Sequence, residues 1–188
     1  MTSFETIKIK DKCFKEYISH KEIQKIVKQT ATNINEFYEN VTNEDNPLII
    51  IGVLNGSFMF LADLVKHINL ACQIHFIKVS SYEGTDTTGK VTNIIGLTKD
   101  ITDNHVLIIE DIIDTGITID NLMNALSSKN PSTLNACSML FKRDKYNGKT
   151  IINKKFIGKT IPNDFVVGYG LDYDQFGRNY EDIYSIVE

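Results

Sequence analysis

Little in this chain marks it for a membrane, a secretory route or a nucleic-acid surface. No apolar stretch reaches the ~20 residues that cross a bilayer, so no membrane partner is expected. The opening segment, MTSFETIKIKDK, has no apolar central region, so no secretion signal is expected either. Acidic residues outnumber basic ones, 24 to 20, for a net charge of −4 and a pI near 5.6. That balance disfavours the broad positive field by which proteins hold nucleic acid. The cysteines are few: Cys13, Cys72 and Cys137 are odd in number, far apart and without metal-ligand spacing. They fit reduced thiols and a cytoplasmic location. Only three prolines occur, with no repeat, no low-complexity tract and no linker. The 188 residues therefore read as a single domain, residues 1–188, large enough for a real core.

What is present is an alternation of strand-like and helix-like segments. Residues 21–39 place Ile23, Ile26, Val27, Thr30, Ala31, Ile34 and Phe37 on one helical face. Leu48 to Leu54 reads as a buried strand, followed by a turn at Asn55-Gly56-Ser57. A helix with Leu61, Leu64, Val65 and Ile68 comes next. Residues 73–82 and 91–97 read as strands, 115–128 as a helix, 133–141 as a strand and 165–169 as a short late strand. This order predicts an α/β fold: a central parallel sheet flanked by helices. The core is expected over about 40–160. A small hood is expected from about 1–20 and 160–188, with the long N-terminal helix and the C-terminal tail forming a lid together.

The segment His105 to Ile119, HVLIIEDIIDTGITI, carries the most chemistry. Val106 to Ile109 suit a strand buried on both faces. Glu110, Asp111 and Asp114 fall at its carboxyl end, where ligands bind in open α/β sheets. Thr115, Gly116, Ile117 and Thr118 then offer backbone N–H groups and two hydroxyls at a helix start, a natural phosphate cradle. Carboxylates beside a phosphate repel it unless they face something else. Sugar hydroxyls, hydrated Mg2+ or a proton in transfer would each explain them. A buried strand with a polar turn and a solvated acidic edge is the plain alternative.

This segment closely resembles the phosphoribosyl-pyrophosphate-binding loop of type I phosphoribosyltransferases. A second stretch, Asp164-Phe165-Val166-Val167-Gly168-Tyr169-Gly170-Leu171-Asp172-Tyr173, resembles the purine-recognition segment of the members that act on 6-oxopurines. The resemblance runs from the helix at 21 to Arg178, in the right order. It implies transfer of a phosphoribosyl group to hypoxanthine or guanine, with release of pyrophosphate and formation of a purine nucleotide. It also implies Mg2+, held by Glu110, Asp111 and Asp172, and a homodimer or homotetramer.

Further roles follow from the resemblance. Glu110 and Asp111 orient the ribose hydroxyls, and Asp114 takes or holds the N7 proton of the base. Thr115 to Thr118 bind the 5′-phosphate. Leu54, Asn55 and Gly56 bind pyrophosphate through backbone N–H groups, with a cis peptide in that loop. Asn55 stands where many relatives carry lysine, so backbone contacts are expected there and a charged contact is not. Lys142 donates to the 6-oxo group, Phe165 stacks on the base and Val166 reads its edge. Arg178 reaches the pyrophosphate, and Ser81 and Tyr82 cover the reacting centre.

Three motifs have plainer readings. Residues 84–90, GTDTTGK, match most of a nucleotide P-loop, but Val91 replaces the required Ser or Thr, and a strand rather than a helix follows. A mobile hairpin closing over substrate is expected instead. Arg143 is expected only to screen an anionic site. His20, His67, His75 and His105 show no paired spacing and read as surface or packing residues. Other readings are a different base within the family, a nonenzymatic regulator on the same fold, and a P-loop phosphotransferase.

Overall fold

The computed structural model describes residues 6–81 and 92–187. In chain order its elements are β1 (Thr6–Ile9), β2 (Lys12–Ile18), α1 (His20–Tyr38), β3 (Leu48–Leu54), α2 (Phe58–Leu64), β4 (Cys72–Ser81) and β5 (Thr92–Ile95). There follow β6 (His105–Ile113), α3 (Ile117–Ser127), β7 (Thr133–Phe141), β8 (Ile157–Thr160), β9 (Val166–Val167) and β10 (Ile183–Ile186). The large sheet has the order β5-β4-β3-β6-β7-β8. Five of its strands are parallel, and β5 alone pairs antiparallel, to β4.

The aliphatic runs explain the layering. In β3, Ile49 and Ile51 project to one face, Leu48 and Ile50 to the other, and all four are buried. One face meets Ile23, Val27, Ala31 and Ile34 of α1 with Phe60, Leu61 and Leu64 of α2. The other meets Ile119, Leu122 and Leu126 of α3. Each such large side chain contributes roughly 1.5–3 kcal/mol by leaving water. Ser19 caps α1, its Oγ accepting from Glu22 N–H. No described helix is long and apolar enough to cross a membrane.

A second, small sheet has the order β1-β2-β10-β9. Its own apolar cluster is Ile9, Phe14, Val167 and Tyr184. Helix α1 is not part of this hood. Its apolar face is too long and continuous for the small sheet and seats on the large one, correcting the expectation that helix and tail form a lid together. The hood's N-terminal half is instead the β1–β2 hairpin, turned at Lys10 with φ 54°. Ile7 and Ile9 alternating with Lys8 and Lys10 is the signal that marks it in the sequence. The hood is fastened to α1 where His20 N–H donates to Asp182 Oδ1 at 2.6 Å.

Candidate functional site

Parallel strands β3 and β6 lie side by side, so the loops leaving their carboxyl ends become neighbours. After β3 the chain turns at 55–57 into α2, and the Leu54–Asn55 peptide is cis. Ser57 is buried and its Oγ donates to Val53 O at 2.7 Å, holding the turn shut. The N–H groups of Asn55 and Gly56 have no hydrogen-bond partner among the described residues. After β6 the chain turns at Thr115-Gly116 into α3. Gly116 has φ 92°, and a Cβ there would lie 2.4 Å from the ring of Tyr146. Ile117 N–H is taken by Thr115 Oγ1, whereas the N–H groups of Thr115, Gly116 and Thr118 have no partner among the described residues. Free donors at a helix start suit phosphate.

Between these loops lies a cleft of ≈ 540 Å³. Its walls include Leu54, Gly56, Glu110, Asp111, Thr115, Ile117 and Thr118. Among the wall residues that the sequence reading did not anticipate are Val79 and Asn121. Neither is marked by chemistry in the sequence; strand pairing and helix phase place them there. A smaller hollow adjoins, sharing Glu110, Thr115 and Thr118 and adding Asp114 and Gly116.

Glu110 is buried, and burial followed by the neighbouring Asp111 charge pushes its carboxyl well above the usual range. Burial also pushes Asp111 up, to about 6, against the hydrogen bond from Ile112 N–H and the positive charge of Arg178. Asp111 lies directly on the β3 loop: a Cβ on Gly56 would sit 1.5 Å from Asp111 Oδ2. Among the described residues, no lysine or arginine forms an ion pair with either acid. Nor is any group of three His, Cys, Asp or Glu among the described residues arranged to hold a metal alone. Hard oxygen donors facing a phosphate-sized cleft fit a cation that keeps water and substrate phosphate as its other ligands, the usual manner of Mg2+.

The hood closes over the same loops. Gly170 has φ 97°, and a Cβ there would meet Gly56 O at 2.0 Å. Arg178 Nη1 donates to Gly170 O at 2.7 Å, and Nη2 pairs with Asp172 Oδ1 at 2.7 Å. Tyr169 is buried and its hydroxyl donates to Asp63 Oδ2 at 2.8 Å, tying the hood to α2. Phe165 remains 42% exposed, its ring met edge-on by Tyr173 at 5.9 Å and at a tilt by Phe14 at 6.3 Å. Val166 is buried in the β9–β10 pairing, opposite Ser185.

Lys142 follows β7, and its N–H continues the sheet by donating to Ile113 O. It is 6% exposed, not a solvated surface lysine. Its Nζ lies 3.2 Å from Asp114 Oδ2, and Lys145 Nζ lies 2.9 Å from the same oxygen. Asp114 Oδ1 is buried without a partner. Arg143 lines a separate cleft with Phe141, Tyr146 and Lys154. It lines neither the cleft nor the adjoining hollow, so its expected role as a screen for the anionic site has no direct contact behind it. Ser81 ends β4, while Tyr82 and the 84–90 segment lie outside the described residues, so their expected covering role has no structural account. Of the histidines, His105 Nδ1 lies 3.0 Å from Thr133 Oγ1 in a packing role, and His75 Nε2 is buried without a partner.

Residues 15–174 match the family model described as the phosphoribosyl transferase domain. The hypoxanthine-guanine phosphoribosyltransferase of Staphylococcus epidermidis is 42% identical over 163 residues, spanning 86% of this chain and 87% of that protein. The enzyme of the same name from Aquifex aeolicus is 34% identical over 179 residues, spanning 95% and 97%. Among solved structures, hypoxanthine phosphoribosyltransferase from Trypanosoma cruzi, in a ternary substrates complex, superposes with a TM-score of 0.84 at 34% identity, covering 92% of this chain and 94% of that one. A hypoxanthine-guanine phosphoribosyltransferase from Bacillus anthracis gives a TM-score of 0.77 at 34% identity, covering 92% and 96%. With the two strand-end loops sharing one cleft, these matches establish that the chain belongs to the phosphoribosyltransferase family.

Proposed function

We propose that this protein is a purine-salvage enzyme that transfers the 5-phosphoribosyl group of phosphoribosyl pyrophosphate to hypoxanthine and guanine, yielding the nucleoside monophosphate and pyrophosphate. One observation carries the reading: a single cleft joins free backbone donors at Gly56, Thr115 and Thr118 to two buried carboxylates. That layout matches a molecule with phosphate at both ends and sugar hydroxyls between.

In this reading the 5′-phosphate sits on the start of α3, held by N–H groups and the Thr115 and Thr118 hydroxyls. Glu110 and Asp111 accept from the ribose 2′- and 3′-hydroxyls. Pyrophosphate lies on Leu54, Asn55 and Gly56, within reach of Arg178 as a forked donor. Phe165 stacks on the base, Val166 reads its edge through backbone groups, and Lys142 donates to the 6-oxo atom. Bond breaking leaves positive charge at the anomeric carbon and an electron pair on the departing pyrophosphate, which donors in the loop stabilise. N9 bonds to that carbon while Asp114 takes the N7 proton. Ser81 and Tyr82 keep water from the reacting centre. Glu110, Asp111 and Asp172 would hold Mg2+, whose charge supports the leaving group.

Two features of the reading concern the whole protein. The free thiols Cys13, Cys72 and Cys137 support a cytoplasmic setting. Phe58, Ile74 and Phe76, each more than 40% exposed, support self-association as a dimer or tetramer, to be checked by light scattering. The catalytic reading is tested by incubating the protein with phosphoribosyl pyrophosphate, Mg2+ and hypoxanthine. Equal amounts of nucleotide and pyrophosphate are expected, and pyrophosphate released without nucleotide would refute the transfer.

A further inference from the structure

One charged contact in the site is not accounted for by the roles above. Asp114 Oδ2 is bound by two lysines, Lys142 from inside the fold and Lys145 from the following turn. Donating to a purine carbonyl divides the inner lysine's three donors between that oxygen and Asp114. Whatever share it gives to the base leaves a carboxylate that adjoins Glu110 with less positive charge beside it. The outer lysine has no such second duty among the described contacts.

Nor is Lys145 on a loose surface turn. Its own N–H donates to Lys142 O at 3.2 Å, and the next residue's N–H donates to the same oxygen at 3.0 Å. Tyr146 packs its ring against Phe141 and over Gly116, and its hydroxyl donates to Thr150 O at 2.6 Å. Asp120 of α3 accepts from the N–H groups of Lys149 and Thr150 and from the Thr150 hydroxyl. Asn147 N–H donates to Thr115 O. The turn carrying Lys145 is thus pinned to the phosphate loop at several points.

We propose that Lys145 is a positioning residue for the transfer. It grips Oδ2 of Asp114 throughout turnover, so that the unpartnered Oδ1 stays aimed at the base while Lys142 turns to the 6-oxo atom. Lys145 acts through Asp114 and touches neither substrate. This rests on the phosphoribosyltransferase reading above.

The test is a double-mutant cycle in steady-state kinetics with hypoxanthine and phosphoribosyl pyrophosphate, using Lys145→Met, Lys145→Arg, Asp114→Asn and Lys145→Met/Asp114→Asn. Thermal melts confirm that each variant is folded. Lys145→Met is expected to lower kcat about ten-fold, with KM for phosphoribosyl pyrophosphate within two-fold of wild type. Lys145→Arg is expected to restore most of kcat. In the Asp114→Asn background the Met substitution is expected to cost nothing further, because the group it serves is gone. Wild-type kcat in a folded Lys145→Met overturns the proposal, as does a full ten-fold loss persisting in the Asp114→Asn background, which would mean direct substrate contact. If Lys145→Met fails to fold, Lys145→Gln takes its place in the same cycle with the same outcomes. An inactive wild-type protein would instead refute the transferase reading, and so is distinguishable from failure of this proposal.

Discussion

In the proposed reaction Asp114 is the residue on which the chemistry turns, and its two oxygens are unequal. Oδ2 is held by two ammonium groups, while Oδ1 is buried and free. Asp114→Asn keeps the shape but places an amide where the proton acceptor stood. Turnover should fall by ~10²–10⁴-fold, with much smaller change in phosphoribosyl pyrophosphate affinity. Unchanged kcat would remove Asp114 from the reaction. Thr118 offers a different separation of effects. It lines the cleft at the start of α3, so Thr118→Val should weaken phosphoribosyl pyrophosphate by ~1–3 kcal/mol. Calorimetric titration with that ligand and with free purine checks this: equal losses for both would place Thr118 in general folding. At this scale the sequence is most legible where residue type and chemistry coincide, as in the acids and threonines of 110–118. Lys145 was not legible, because a lysine in a polar turn looks like any solvated charge until the turn is seen pinned to α3.

At the scale of elements, the contact between hood and β3 loop leaves no room for a side chain. Gly170 presses its Cα side against Gly56 O, with a backbone angle that side chains resist. Gly170→Ala should push the hood off the loop proposed to hold pyrophosphate. The expected result is a raised KM for phosphoribosyl pyrophosphate together with a stability loss of ~1–3 kcal/mol. Wild-type KM in a folded variant would mean that the two loops act independently. Elements with one strong period were legible: α1 by its apolar stripe, and β3, β6 and β7 by continuous aliphatic runs. The hood was not. β1, β9 and β10 are short, and Val166–Val167 has no pattern of its own. Their pairing joins residues far apart in the sequence, as Ser185 with Val166 and Phe14 with Ile186. The β1–β2 hairpin did carry an alternating signal, weakened by its lysines. Helix α1, read correctly as a helix, was assigned to the wrong layer because periodicity identifies a buried face without saying what buries it.

For the whole molecule, the buried acids imply a cost borne by the ligand-free state. The carboxyl of Asp111 is raised to about 6, from an unfolded value of ~4. Between those values the folded protein holds more protons than the unfolded chain, so this group's contribution to stability is full below ~4 and is lost as pH rises through about 6. Glu110 shifts in the same direction, burial being the main cause. Asp63 and Asp120 shift the other way, because the donors around each outweigh burial. The difference between wild type and Asp111→Asn therefore isolates the effect. In urea melts without metal, the variant should gain on wild type by on the order of 1–3 kcal/mol as pH goes from 4 to 7. A difference flat with pH would contradict the burial of an uncompensated carboxylate. Mg2+ with phosphoribosyl pyrophosphate should stabilise wild type more than the variant, since the ligand supplies the missing charge.

The central claim is selectivity for a 6-oxopurine, set by a buried lysine that donates and cannot accept. A site built around such a donor rejects adenine, whose 6-amino group leaves both partners unsatisfied. The most direct measurement is kcat/KM of the wild-type protein for hypoxanthine, guanine and adenine, with phosphoribosyl pyrophosphate and Mg2+ saturating. The expected result is efficient use of hypoxanthine and guanine, with adenine poorer by at least ~10²-fold. Adenine used as well as hypoxanthine would contradict both the assignment of Lys142 and the 6-oxopurine reading.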